Sequence, residues 1–139
     1  MKKIQWDDSL SVGVTVIDDQ HKTWIDHYNR VVEAIESGRG PAPVTQTLGF
    51  LIDYTNVHFT TEEGFMSQAG YPGLDAHKGK HEELRGTVAN LVQDFEEEGE
   101  THSLEGAVET FLGNWLIAHI RDTDRLFGAF VKENGIVVA

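Results

Sequence analysis

The sequence predicts an all-α protein: an up-down-up-down four-helix bundle, preceded by an irregular N-terminal arm and carrying a short C-terminal helical segment. Two observations predict it. Breaks recur along the chain at Gly38-Arg39-Gly40-Pro41, Gly70-Tyr71-Pro72-Gly73 and Gly99-Glu100-Thr101-His102-Ser103. Between the breaks, apolar residues recur three and four apart, the period of one helix face. Glycine just past a helix end, with proline at the next start, is the expected punctuation.

These breaks place helices near 18–37, 41–69, 72–97 and 103–127, with Ser103 as a cap and Glu105 in the first turn of the last. The first stripe reads His21, Trp24, Tyr28, Val31, Ile35. The second reads Val44, Leu48, Leu51, Thr55, His58, Glu62, Phe65, and the third Leu74, His77, His81, Leu84, Val88, Leu91, Phe95. The fourth reads Val108, Leu112, Trp115, His119. Short loops make sequential helices antiparallel neighbours. A length of 139 residues fits one domain, 1–139. Against the helices stand Gly49, Gly64, Gly79, Gly86, Gly106 and Gly113, each costing up to about 1 kcal/mol relative to Ala. A metal bound only by the folded state offsets part of that loss.

Composition excludes several function classes. There is no cysteine, so thiolate zinc sites, iron–sulfur clusters and thiol catalysis are ruled out. The net charge of -12 opposes nucleic acid and anionic membrane surfaces. No apolar run reaches the roughly 20 residues that span a bilayer. The start turns acidic at Asp7-Asp8, where a signal peptide needs an apolar stretch. The expectation is a cytoplasmic monomer.

The informative feature is what interrupts the stripes. His21, His58, Glu62, His77, His81 and His119 take seam positions otherwise held by Leu, Val, Phe and Trp. One core histidine alone reads as a hydrogen-bonded core residue. Five of the seven histidines, converging from four helices with a carboxylate, read as metal ligands. A buried ionised carboxylate needs a partner, and the third helix has no Lys or Arg on its seam. His58 and Glu62 are four apart, as are His77 and His81, so each pair shares one helix face. His119 and Asp124 are five apart, about 140° round an ideal helix. Asp124 therefore joins the cluster only if the helix ends, bends or bulges between them. Imidazoles with carboxylates suit iron, zinc, copper or nickel, and seven candidate ligands exceed one octahedral site.

Asp18-Asp19-Gln20-His21, His58-Phe59-Thr60-Thr61-Glu62-Glu63 with Met66, His77-Lys78-Gly79-Lys80-His81 and the run Trp115 to Asp124 resemble the hemerythrin family over nearly the whole chain. The short acidic chain with its Trp6-Asp7 arm looks most like the bacterial members. The resemblance implies reversible dioxygen binding at a non-haem centre of two iron ions. His77, His81 and His119 would hold one iron, and His21 and His58 the other, which keeps an open position. Glu62, Asp124 and a hydroxide or oxo group would bridge them. Trp115 and Leu116 resemble the family's pocket-lining pair, and both also read as ordinary core packing. Trp24 is larger than the aliphatic residue expected three places after His21; it is expected to narrow the pocket or gate access, with Gly64 and Gly113 leaving compensating space.

Two other readings stand beside carriage, storage or scavenging of oxygen. A ferritin-like oxygenase uses ExxH motifs, and no Glu lies three residues before any of the five histidines. An oxygen or redox sensor acting through a partner, or a weak di-iron oxidase or peroxidase, is the remaining alternative.

Overall fold

A computed structural model of the chain describes residues 3–99 and 102–136, except for the side chains of residues 102–104 and 109. The cap expected at Ser103 lies among those side chains, and so outside the described set.

The first three helices are Thr15–Glu36, Pro41–Ala69 and Leu74–Glu98. Pro41 occupies the first turn of the second, where its missing N–H costs nothing. That helix ends at Gly70 (φ 66°), a left-handed position a side chain disfavours. The N–H of Tyr71 then donates back to Met66 O at 2.9 Å.

The fourth helix is one continuous rod over residues 102–133. Three α-helical stretches, His102–Ala107, Asn114–Ala118 and Arg125–Glu133, alternate with two π-helical stretches, Val108–Gly113 and His119–Asp124. The residues at the junctions keep right-handed helical angles, so the C-terminal helical segment continues the rod without a break. No described helix is long and apolar enough to cross a membrane.

Two apolar clusters fill the bundle. The larger includes Val31, Leu48, Leu51, Leu84, Val88, Leu112 and Leu116; the smaller comprises Val12, Val14, Ile17, Met66, Phe127 and Val131. A polar layer separates them on every helix. His21 falls between Ile17 and Trp24, His58 and Glu62 between Leu51 and Met66, and His77 and His81 before Leu84. On the fourth helix, His119 and Asp124 fall between Leu116 and Phe127. The arm closes the smaller cluster. Asp18 fastens it, accepting from Val12 N–H at 2.9 Å and Ser11 Oγ–H at 2.5 Å. Asn29 fastens its start through two 2.8 Å hydrogen bonds with the backbone of Ile4.

The six glycines that the sequence places inside helices divide into two kinds. A Cβ at Gly49, Gly64, Gly79, Gly86 or Gly106 would meet no atom within 4 Å, whereas one at Gly113 would lie 2.6 Å from Tyr28 Oη. Neither kind makes room for Trp24. Gly64 faces solvent, and the space over Gly113 is taken by Tyr28. Gly86→Ala and Gly106→Ala should therefore each raise stability by about 0.5–1 kcal/mol in thermal melts. A lowered melting temperature would contradict the open space at those positions.

Candidate metal centre

The seven residues singled out in the sequence meet in the polar layer, each almost fully buried. The π-helical stretch His119–Asp124 is the bulge that the five-residue spacing demands. Its i→i+5 hydrogen bonding places residues five apart one above the other, and His119 Nε2 lies 2.9 Å from Asp124 Oδ1.

The donor atoms form two overlapping groups. Glu62, His77, His81, His119 and Asp124 make one; His21, His58, Glu62 and Asp124 make the other. Within each group the donors lie within 4.8 Å of one another, and both carboxylates belong to both. His77 Nε2 is 2.9 Å from Asp124 Oδ1 and also touches Glu62 Oε1. His81 Nε2 lies 3.3 Å from Glu62 Oε1 and 3.2 Å from His119 Nε2. In the second group, His21 Nε2 is 2.7 Å from Asp124 Oδ2, and His58 Nε2 is 3.2 Å from Glu62 Oε2.

Hydrogen bonding satisfies only part of the layer. His21 Nε2, His58 Nε2, Glu62 Oε2 and both oxygens of Asp124 are buried and have no hydrogen-bond partner. Buried polar atoms in that state are costly. Two overlapping groups of imidazole and carboxylate donors, each within 4.8 Å and several of the atoms without a hydrogen-bond partner, fit borderline transition-metal cations well. The electrostatics agree. Burial raises the Glu62 carboxyl, but His58, His119 and His77 outweigh it and hold the group well below the usual range. Burial and Glu62 likewise raise Asp124, and His119 and His21 outweigh them. Both carboxylates are thus ionised and ready as ligands. Burial opposes charge on His77, yet the Asp124 and Glu62 carboxylates beside it raise it to about 9. Without a cation, a proton there partly balances the two carboxylates.

Two outer contacts were not assigned from sequence. Gln20 Oε1 lies 2.8 Å from His58 Nδ1, and Glu63 Oε2 lies 2.6 Å from His81 Nδ1. Each accepts from the ring nitrogen facing away from the layer, which fixes that imidazole's tautomer with Nε2 free to ligate. Gln20 and Glu63 adjoin His21 and Glu62 in sequence but serve histidines on other helices, so spacing alone conceals them. Aromatic rings cover the rest. Phe59 stacks on His81 at 3.6 Å, and partly buried Trp115 stacks on His119 at 4.5 Å. Trp24 lies beside these rings, and both it and Leu116 are fully buried. His27 stays out of the layer, next to Tyr54.

The family model described as the hemerythrin HHE cation binding domain matches residues 12–131. A bacteriohemerythrin from Stenotrophomonas maltophilia is 37% identical over 132 residues, covering 95% of this chain and 84% of that one. One from Methylococcus capsulatus is 36% identical, covering 86% and 88%. A crystal structure of wild-type hemerythrin superposes with a TM-score of 0.82 at 31% identity, covering 94% of this chain and 98% of its own. The bundle and its layer of histidines and carboxylates define a helical metal-binding protein. The chain belongs to the hemerythrin family.

Proposed function

We propose that this chain binds dioxygen reversibly at two iron ions, and serves as an oxygen carrier, store or scavenger rather than as an enzyme. The observation that carries the proposal is the pair of overlapping donor groups sharing Glu62 and Asp124. His77, His81 and His119 would hold one iron, His21 and His58 the other, with the two carboxylates between them. The second group has one imidazole fewer, so an iron held there would keep a position for dioxygen. Bound iron supplies the electrons for reversible dioxygen binding, chemistry that no side chain here provides.

The chain's own part is to orient ligands and to exclude water. Gln20 and Glu63 keep Nε2 of His58 and His81 directed inward. The Glu62 carboxylate lies against histidines from all four helices, so it ties them into one layer. Trp115, Leu116 and Trp24 would line the oxygen pocket with carbon, keeping out the water and protons that promote loss of electrons from the site. We take residues 1–139 as one domain in the cytoplasm. The family match over 12–131 and the arm's packing on the bundle support the single domain.

Metal and gas analysis tests this: anaerobically loaded protein should hold two irons per chain and take up one dioxygen, released under vacuum. One iron per chain, or no uptake, would contradict it. Replacing Trp115 by Ala should mainly speed autoxidation, followed in the visible spectrum, with iron content retained. Loss of the metal instead would make Trp115 part of the ligand framework.

A further inference from the structure

We propose that Thr55 is a positioning residue that pins Trp24 as a fixed wall over the two-histidine end of the polar layer, so that the site admits a diatomic ligand and resists larger anions. The inference rests on the di-iron reading above and assigns its ligand selectivity.

Trp24 is fully buried, and its ring lies among both donor groups: 5.0 Å from His58, 6.1 Å from His21 and 6.3 Å from His119. Phe59 at 5.5 Å and Trp115 at 6.3 Å close round it edge-on. The indole therefore occupies the space beside His21 and His58, the group with one imidazole fewer.

Its orientation is set from the second helix. The indole N–H donates to Thr55 Oγ1 at 2.9 Å, and the Thr55 hydroxyl donates to Leu51 O at 2.6 Å. Both polar hydrogens of the pair are engaged with the second helix, so neither is offered to a ligand in the layer. Thr55 also lines a cavity of about 150 Å³ between the second and third helices, with Ile52, Asn56, Arg85, Val88 and Ala89. Thr55 thus stands between that cavity and Trp24. Without the hydroxyl, a buried indole N–H loses its acceptor, and the ring loses the bond that fixes its orientation.

The test compares Thr55→Val, Thr55→Ser and the unaltered chain, iron-loaded and oxidised, with azide as the probe. Val keeps the shape of Thr but accepts no hydrogen bond; Ser keeps the acceptor. Azide association should rise roughly tenfold in Thr55→Val, the factor that one lost hydrogen bond corresponds to, and should stay near the original rate in Thr55→Ser. Trp24→Leu should exceed both. Ultraviolet resonance Raman spectra of the same samples should show one indole N–H released in Thr55→Val and not in Thr55→Ser. A merely structural role would lower the melting temperature without separating Val from Ser in azide rate or Raman band. Equal azide rates in all three chains, or an unchanged indole band in Thr55→Val, would overturn the proposal. A chain that took up no iron would instead overturn the function proposed above, and the Raman comparison would still decide whether Thr55 holds the indole.

Discussion

Replacing Glu62 by Ala should bring bound iron from two per chain to below one and lower the melting temperature of the iron-loaded protein by roughly 10 °C. The reason is Glu62's place in both donor groups. Its Oε1 faces His77, His81 and His119, and its Oε2 faces His58 and His21. Among the described residues, only Asp124 is shared in the same way. Removing one such carboxylate weakens both sites together. Losing metal at a hundredfold excess over its dissociation constant forfeits about 2.7 kcal/mol of linkage stabilisation, which in a domain of this size corresponds to the temperature shift above. Without metal, Glu62 and Asp124 oppose each other across the layer, so the gap between variant and original chain should narrow on chelation. A gap of the same size with and without metal would mean that Glu62 acts through packing alone.

Gly128→Ala should lower the melting temperature by about 5–10 °C, the shift that overpacking by 1–3 kcal/mol produces. A Cβ at Gly128 would lie 1.9 Å from the carbonyl oxygen of Val12 and 2.9 Å from its carbonyl carbon. That backbone has little freedom to yield. Asp18 holds it on one side through Ser11 and Val12, and Arg125 donates to Ser9 O on the other. The arm must lift from the fourth helix, exposing part of the cluster formed by Val12, Val14, Ile17, Met66, Phe127 and Val131. The same change at Gly86 or Gly106 is expected to stabilise, so one substitution carries opposite signs at different sites. An unchanged melting temperature for Gly128→Ala would show that the arm adjusts without loss.

Much of this architecture is legible in the sequence, because helix ends and seams are local features. The breaks at 38–41 and 70–73 bound the helices to within a few residues. Every histidine placed on a seam is buried, while His27, off the seam, is not. Asp124 shows how far spacing can go. Five residues from His119 is the wrong angle for an α-helix, so spacing alone states the condition for its joining, and the π-helical stretch meets it. What stays hidden depends on contacts between helices. Gln20 reaching His58, Glu63 reaching His81 and Thr55 holding Trp24 each join different helices, and no local pattern announces them. The space assigned to Gly113 fails for the same reason, whereas Gly64 faces solvent. Which residue occupies a gap depends on the neighbouring helix, and at Gly113 that residue is Tyr28.

The most direct test of the central claim is the visible spectrum of anaerobically reduced, iron-loaded protein, recorded before air, after air, and again once oxygen is purged. Reversible binding predicts a colourless protein that gains a charge-transfer band in air and loses it on purging. Immediate conversion to a ferric spectrum that purging cannot reverse would contradict reversible binding and move the function toward redox sensing or oxidase chemistry.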